Sequence, residues 1–144
     1  MKPSPELILN QAFAKIAMEM GPALPPGYGQ GSATTTAVLL LMVAQEFNRA
    51  ASIRKAENDA MRLLFRESAG KTGGTLGERL KAAGGGEDSD ITVAALDKSN
   101  ASLKTLLIEL QIAAEDRNDT ALEARIIRMM QAWAGARLVF LPAM

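Results

Sequence analysis

Between Gly31 and Gly70 the sequence contains neither glycine nor proline. So long an unbroken stretch has to be helical, because strands rarely exceed ten residues and turns draw on the two residues that are missing. The apolar run from Ala37 to Ala44 could be a strand by composition alone. It continues into Gln45-Glu46-Phe47-Asn48-Arg49-Ala50-Ala51, which has no turn signal and little β propensity, so helix prevails. The spacing predicts one helix from Ala33 to Ser68, with Ser32 as its N-cap. At 1.5 Å per residue that helix would be ~55 Å long, wider than a compact domain of this size. It must therefore bend or reach a partner, and its weakest point lies near Ala51-Ser52.

The first half of this helix is apolar on every side, the mark of a central helix covered all round. Leu40, Val43, Phe47, Ala50, Arg54, Glu57, Met61 and Leu64 keep an alternating three-four spacing. Arg54 and Glu57 interrupt that stripe with opposite charges, as Glu46 and Arg49 do on the neighbouring face. Such pairs are either a buried network that fixes register or the polar lining of a pocket, and arginine can hold a carboxylate or phosphate bidentately. The plainer expectation is that this half of the helix turns towards water, with arginine stems lying along apolar neighbours.

Towards the N-terminus, Ser4 is a good cap, Pro5 suits a first turn and Glu6 favours the positive end of the dipole. A helix is expected from Pro5 to Met20, ended by Gly21-Pro22. Gly21 to Gly31 holds three prolines and four glycines and reads as irregular, with Tyr28 in its middle. Tyr28 is expected to plug the edge of the core, with closure over a ligand as the alternative.

Beyond Gly70 lies a glycine-rich excursion, residues 70–90. Thr75 and Glu78 have capping-box spacing, which predicts a two-turn helix from Leu76 to Ala83, and Glu87-Asp88-Ser89-Asp90 reads as solvent-exposed. A third long helix is expected from Ser89 or Asp90 to Asp116, with Leu96, Leu103 and Leu110 at heptad spacing and a possible break at Asp97-Lys98-Ser99-Asn100. After a short turn at Asp116 to Asp119, Thr120 and Glu123 form a second capping box. They open a helix running to Phe140, with Leu122, Ile126, Met129, Trp133, Ala136 and Phe140 as its core face. A short loop between two long helices makes an antiparallel hairpin.

The sequence contains no cysteine and no histidine, which removes disulfides, thiolate chemistry, thiolate-bound zinc and every imidazole mechanism. It also removes the Glu-x-x-His pairs of a di-iron bundle. Carboxylates remain on the long helix (Glu46, Glu57, Asp59) and on the hairpin (Glu109, Glu115, Asp116, Glu123), but none forms a Glu-Glu-x-x-Glu cluster. Most of them stand three or four residues from a cation, so no metal and no other cofactor is expected. Gly70-Lys71-Thr72 has the last residues of a P-loop, but the leading glycine is replaced by Phe65 and the segment follows a helix, so the match is accidental. Sixteen basic and sixteen acidic residues cancel, and the basic ones are dispersed, which argues against nucleic acid. Met18, Met20, Met42, Met61, Met129 and Met130 read as core filling.

Met1 to Asn10 lacks a signal-peptide pattern and the apolar run from Ala37 to Ala44 is too short to span a bilayer, so a cytoplasmic protein off the membrane is expected. The chain is expected to form one all-α domain over residues 1–144, an up-and-down helical bundle of four main helices and one short helix. The expected function is that of a non-enzymatic interaction or accessory protein, a homodimer that also binds a protein partner. The alternative is a small-molecule-binding bundle with an apolar pocket near Trp133 and the polar groups of Glu46 and Arg49, and an acid-metal hydrolase comes third. The candidate ligand or partner residues are Glu46, Arg49, Arg54, Glu57, Tyr28 and Trp133.

Overall fold

A computed structural model describes residues 2–140. The fold is all-α, with no strand among the described residues. Its helices are α1 (Pro5–Lys15), α2 (Gly21–Ala23), α3 (Tyr28–Phe47), α4 (Ala50–Thr72), α5 (Gly74–Gly84), α6 (Val93–Asp116) and α7 (Thr120–Ala136). No helix among the described residues is long and apolar enough to cross a membrane. The chain divides into two compact units, residues 1–50 with 139–144, and residues 51–138.

The helix expected over Ala33 to Ser68 is two helices. The interruption falls at Asn48 and Arg49, ahead of the expected weak point, and the Arg49 amide donates to the Glu46 carbonyl at 3.1 Å. Nothing in the local sequence forces this break. At the break the Asn48 side chain donates to the Glu6 carboxylate on α1, a tertiary contact at a residue of modest helix propensity.

In the first unit, Ser4 caps α1 as expected, its hydroxyl accepting from the Leu7 amide at 3.3 Å. Gly21-Pro22 does not end the helical path. The turn from Ile16 to Met20 widens so that the Gly21 amide donates to the Ile16 carbonyl, five residues back. Such a turn carries the chain into a proline that cannot donate to the preceding turn. α3 begins at Tyr28, earlier than Ser32, and Gly29 and Gly31 lie inside it. Tyr28 is therefore a first-turn residue, 93% exposed, and plugs no core.

α1 packs on α3, with Ala37, Leu41 and Ala44 the buried positions of α3. The expectation of a helix covered all round fails, since Leu39, Val43 and Phe47 are more than half exposed. Gln45 braces the chain beyond α7, its amide nitrogen donating to the Phe140 carbonyl at 2.7 Å and its oxygen accepting from the Phe140 amide at 3.0 Å.

The second unit holds the larger core: Met61, Leu64 and Phe65 of α4, Leu80 of α5, Leu103, Leu106, Leu107 and Leu110 of α6, and Ile126 of α7. Of the methionines named above, Met61 alone is fully buried, while Met18, Met20, Met42 and Met130 are exposed. α6 runs unbroken through Asp97 to Asn100, capped by Thr92, whose hydroxyl accepts from Ala95. α7 is capped by Asp119, one residue before the expected Thr120, and ends at Ala136, so Phe140 lies outside it. Asn118 turns the corner between them at φ 54°, a left-handed conformation that asparagine tolerates.

α5 starts at Gly74 without a side-chain cap, so the Thr75–Glu78 box does not form. Its glycines set how closely it sits on α4. A methyl at Gly77 would stand 2.8 Å from the Ala69 carbonyl oxygen, and one at Gly84 would stand 3.0 Å from the Arg66 backbone nitrogen. Arg66 then donates to the Gly84 carbonyl at 2.6 Å, capping the end of α5.

Candidate functional site

α4 buries Glu57 and Asn58 in its N-terminal half, Met61 and Arg62 at its middle, and Leu64, Phe65 and Ser68 in its C-terminal half. In α6, Leu96, Asn100, Leu103, Leu107 and Leu110 share the buried stripe, with Asn100 a single polar member among leucines. The buried polar groups of the two helices meet.

Asn100 spends both amide protons there, donating to Glu57 Oε2 at 3.0 Å and to Asn58 Oδ1 at 2.9 Å. Asn58 in turn donates to Asp88 at 3.0 Å and to the Leu96 carbonyl at 3.3 Å. Arg62 closes on Asp88 bidentately, both bonds at 2.8 Å, and reaches Ser99 at 3.0 Å. Asp88 is thus no solvated loop residue, contrary to the sequence expectation: its side chain is only 4% exposed. Hydrogen bonds from Arg62 hold its carboxyl well below the usual range against the opposing effect of burial, and Asn58 and Ser99 assist.

At the other end of this chain of bonds, Glu57 is 1% exposed. Arg137 donates to Glu57 Oε1 at 2.7 Å, and Lys104 approaches Oε2 at 3.3 Å. Burial pushes the Glu57 carboxyl up, but Arg137, Asn100 and Lys104 outweigh it and leave it below its ordinary value. Glu57 is therefore an anion inside the unit, with its two cations at the surface.

Those cations stand in a groove between α6 and α7. Lys104, Leu107, Ile108 and Gln111 recur at helical spacing along one wall, and Met130, Trp133, Ala134 and Arg137 along the other. Glu57 forms the floor of this open groove, which has a volume of about 360 Å³. The Lys104 ammonium lies 5.6 Å from the centre of the Trp133 ring, within cation–π range. Both cations close on the single Glu57 carboxylate at this polar end. The rest of the lining is mostly apolar, a combination suited to an amphipathic ligand.

Of the sequence candidates, the structure brings Glu57 and Trp133 to this groove. Arg54, expected beside Glu57, donates to Asp97 on α6 at 2.6 Å. Glu57 is buried, so the solvated reading fails for it. Glu46 and Arg49 belong to the first unit and stand 3.9 Å apart, Glu46 with a 40% exposed side chain. Tyr28 is in that unit too, at the start of α3. Lys104, Arg137 and Asn100 escaped the sequence reading. Asn100 had a signal, because its spacing from Leu96 and Leu103 puts an amide in an apolar stripe. Lys104 and Arg137 had none, since both look like ordinary surface cations.

No protein-family model, curated protein or solved structure matches this chain.

Proposed function

We propose that this chain is a non-enzymatic binding protein whose α6–α7 groove takes up a small amphipathic anion. The observation that carries this reading is the juxtaposition of Trp133 and an apolar wall with the Lys104–Glu57–Arg137 cluster. A volume of about 360 Å³ falls within the ~300–1,000 Å³ of small-molecule pockets. The apolar body of a ligand would lie along Leu107, Ile108, Met130 and Trp133, and its anionic head against the two cations. The groove supports binding rather than turnover: its carboxylate is held ionised by three donors, which makes it a poor general acid or base near neutral pH.

Trp133 is the chain's single tryptophan, so its fluorescence reports on the groove directly. Titration with 8-anilinonaphthalene-1-sulfonate should change Trp133 emission saturably, and Lys104→Ala should weaken the effect. A neutral analogue binding equally well would refute the anionic preference, and absence of saturable change would refute the groove as a site.

A second reading, self-association or capture of a partner helix, is supported by the apolar exposure of α3. Leu39 is 55%, Val43 54% and Phe47 52% exposed, and together they form a stripe at helical spacing. Sedimentation at micromolar concentration tests it, with a clean 15.3 kDa species against it.

A further inference from the structure

A second cavity in the same unit, distinct from the Trp133 groove, is built from the last turns of α4, the α6–α7 turn and the start of α7. It is a partly open cleft of about 400 Å³ whose lining includes Ser68, Lys71, Arg117 and Arg125, with the acids Glu67 and Asp119. We propose that this cavity binds the phosphate group of a small phosphorylated molecule.

The charges favour an anion. Three cations face two carboxylates, a balance of +1, and both carboxylates are already engaged. Glu67 pairs with Arg125 at 2.5 Å, and Asp119 accepts from the Leu122 amide at 3.1 Å as the cap of α7. Lys71 and Arg117 take part in no salt bridge among the described residues. Their donors are therefore available to a ligand rather than consumed by the fold.

Ser68 supplies the independent observation. It is only 5% exposed yet lines the cavity, and among the described residues its hydroxyl has no hydrogen-bond partner. Its carbonyl, by contrast, is used by Thr72 at 3.0 Å. The Ser68 oxygen is not sealed off as a buried unpartnered atom, so its hydroxyl opens into the cavity, where water or a ligand completes it. Lys71, Arg117, the remaining N–H groups of Arg125 and the Ser68 hydroxyl offer more donors than a carboxylate's two oxygens accept in one geometry. Phosphate, with three terminal oxygens, suits them better. At about 400 Å³ the cleft falls in the ~300–1,000 Å³ range of small-molecule sites, so it has room for an organic group beside the phosphate. The site is not a P-loop: Lys71 and Thr72 end a helix here, and no strand leads into them.

Isothermal titration of the full chain with inorganic pyrophosphate and with glucose 6-phosphate tests the proposal. Saturable binding at one site is expected, weakening with salt, with Arg117→Ala and Lys71→Ala each reducing affinity about tenfold, the effect of losing one charge-assisted contact. Both residues are exposed, so thermal unfolding of the variants should match the parent, and Ser68→Ala should weaken binding without changing the Trp133 titration. The absence of binding by either probe, or binding that both charge variants leave intact, would overturn it. Co-sedimentation with phosphatidic-acid vesicles, in the absence of binding to either soluble probe, would assign the cations to a lipid surface and overturn the small-molecule source.

Discussion

Asn100 of α6 and Glu57 of α4 meet at 3.0 Å inside the second unit, a carboxamide donating to a buried carboxylate. Each interrupts an otherwise apolar stripe on its own helix, and each satisfies the other. Replacing Asn100 with alanine removes two donated bonds, to Glu57 and to Asn58, and opens a small void. Asn100→Ala should cost about 2 to 3 kcal/mol, the penalty of stranding buried acceptors. Asn100→Asp should cost more, because it sets a second negative charge against Glu57. Urea midpoints of the three proteins check the order, and an Asn100→Ala variant as stable as the parent would contradict the network.

The acid side of the stability curve follows from Asp88 and Glu57. Both carboxyls lie below their ordinary values in the folded chain, Asp88 by hydrogen bonds from Arg62 and Glu57 by bonds that overcome its burial. The unfolded chain therefore binds protons first as the pH falls. The stabilisation is fully present above the ordinary carboxyl values of 4.5 and 3.8 and is lost as the pH drops through the folded ones. Urea midpoints should hold between pH 7 and about pH 5 and fall steeply below. Asp88→Asn should be less stable at pH 7 and show a shallower acid limb. An equally steep limb in that variant would remove Asp88 as a cause.

How much of this was legible in the sequence depended on whether the deciding interaction was local. The stripe of Leu96, Leu103 and Leu110, the cap at Ser4 and the turn at Asp116 to Asp119 depend on neighbours within a turn or two, and the structure has them. The division between α3 and α4 coincides with the contact of Asn48 with Glu6, forty-two residues away, which no local propensity encodes. The same limit hid half of the groove. Trp133 and Glu57 stood out as an aromatic on an apolar face and a charge in a stripe, but Lys104 and Arg137 acquire their role only where α6 and α7 flank the end of α4. Asp88 looked solvated because its segment is polar and glycine-rich; its partner Arg62, twenty-six residues earlier, puts it inside.

The packing of α5 on α4 yields a prediction about backbone proximity. A methyl at Gly77 would meet the Ala69 carbonyl oxygen at 2.8 Å, an obstacle that cannot rotate away as a side chain could. Gly77→Ala should therefore destabilise by about 1 to 3 kcal/mol despite alanine's better helix propensity. Gly70, also helical but with nothing near its would-be methyl, is the control. Gly70→Ala should be neutral or stabilising by up to about 1 kcal/mol. Thermal melts that rank the two the other way would show that α5 is free to shift.

Trp133 sits partly exposed on the groove, with its ring under the Lys104 ammonium. Trp133→Ala should cost about 2 kcal/mol, below the ~3–5 kcal/mol of a fully buried aromatic. Trp133→Phe should restore most of that stability while keeping an apolar wall. A loss as large as that of a core residue would mean the ring is structural first.

The sharpest contrast concerns two glutamates that look alike in the sequence, each three residues from an arginine. Glu46 has a 40% exposed side chain and stands 3.9 Å from Arg49, so Glu46→Ala should change stability by less than about 1 kcal/mol. Glu57 is buried and accepts from Arg137, Lys104 and Asn100. Removing one member of a buried ion pair costs about 3 to 5 kcal/mol when the other is stranded. Here Arg137 and Lys104 are 39% and 42% exposed and can turn back to water, so the cost of Glu57→Ala should fall near the lower end, about 3 kcal/mol. The same substitution leaves both cations in the groove without their carboxylate, which raises the positive potential there. Anionic dye should then bind Glu57→Ala more tightly at a temperature where the variant remains folded, while Glu46→Ala binds as the parent does. Chemical denaturation and Trp133 titration of the two variants give four readings. Equal stability losses, or weaker dye binding by folded Glu57→Ala, would sink this account of the groove's electrostatics.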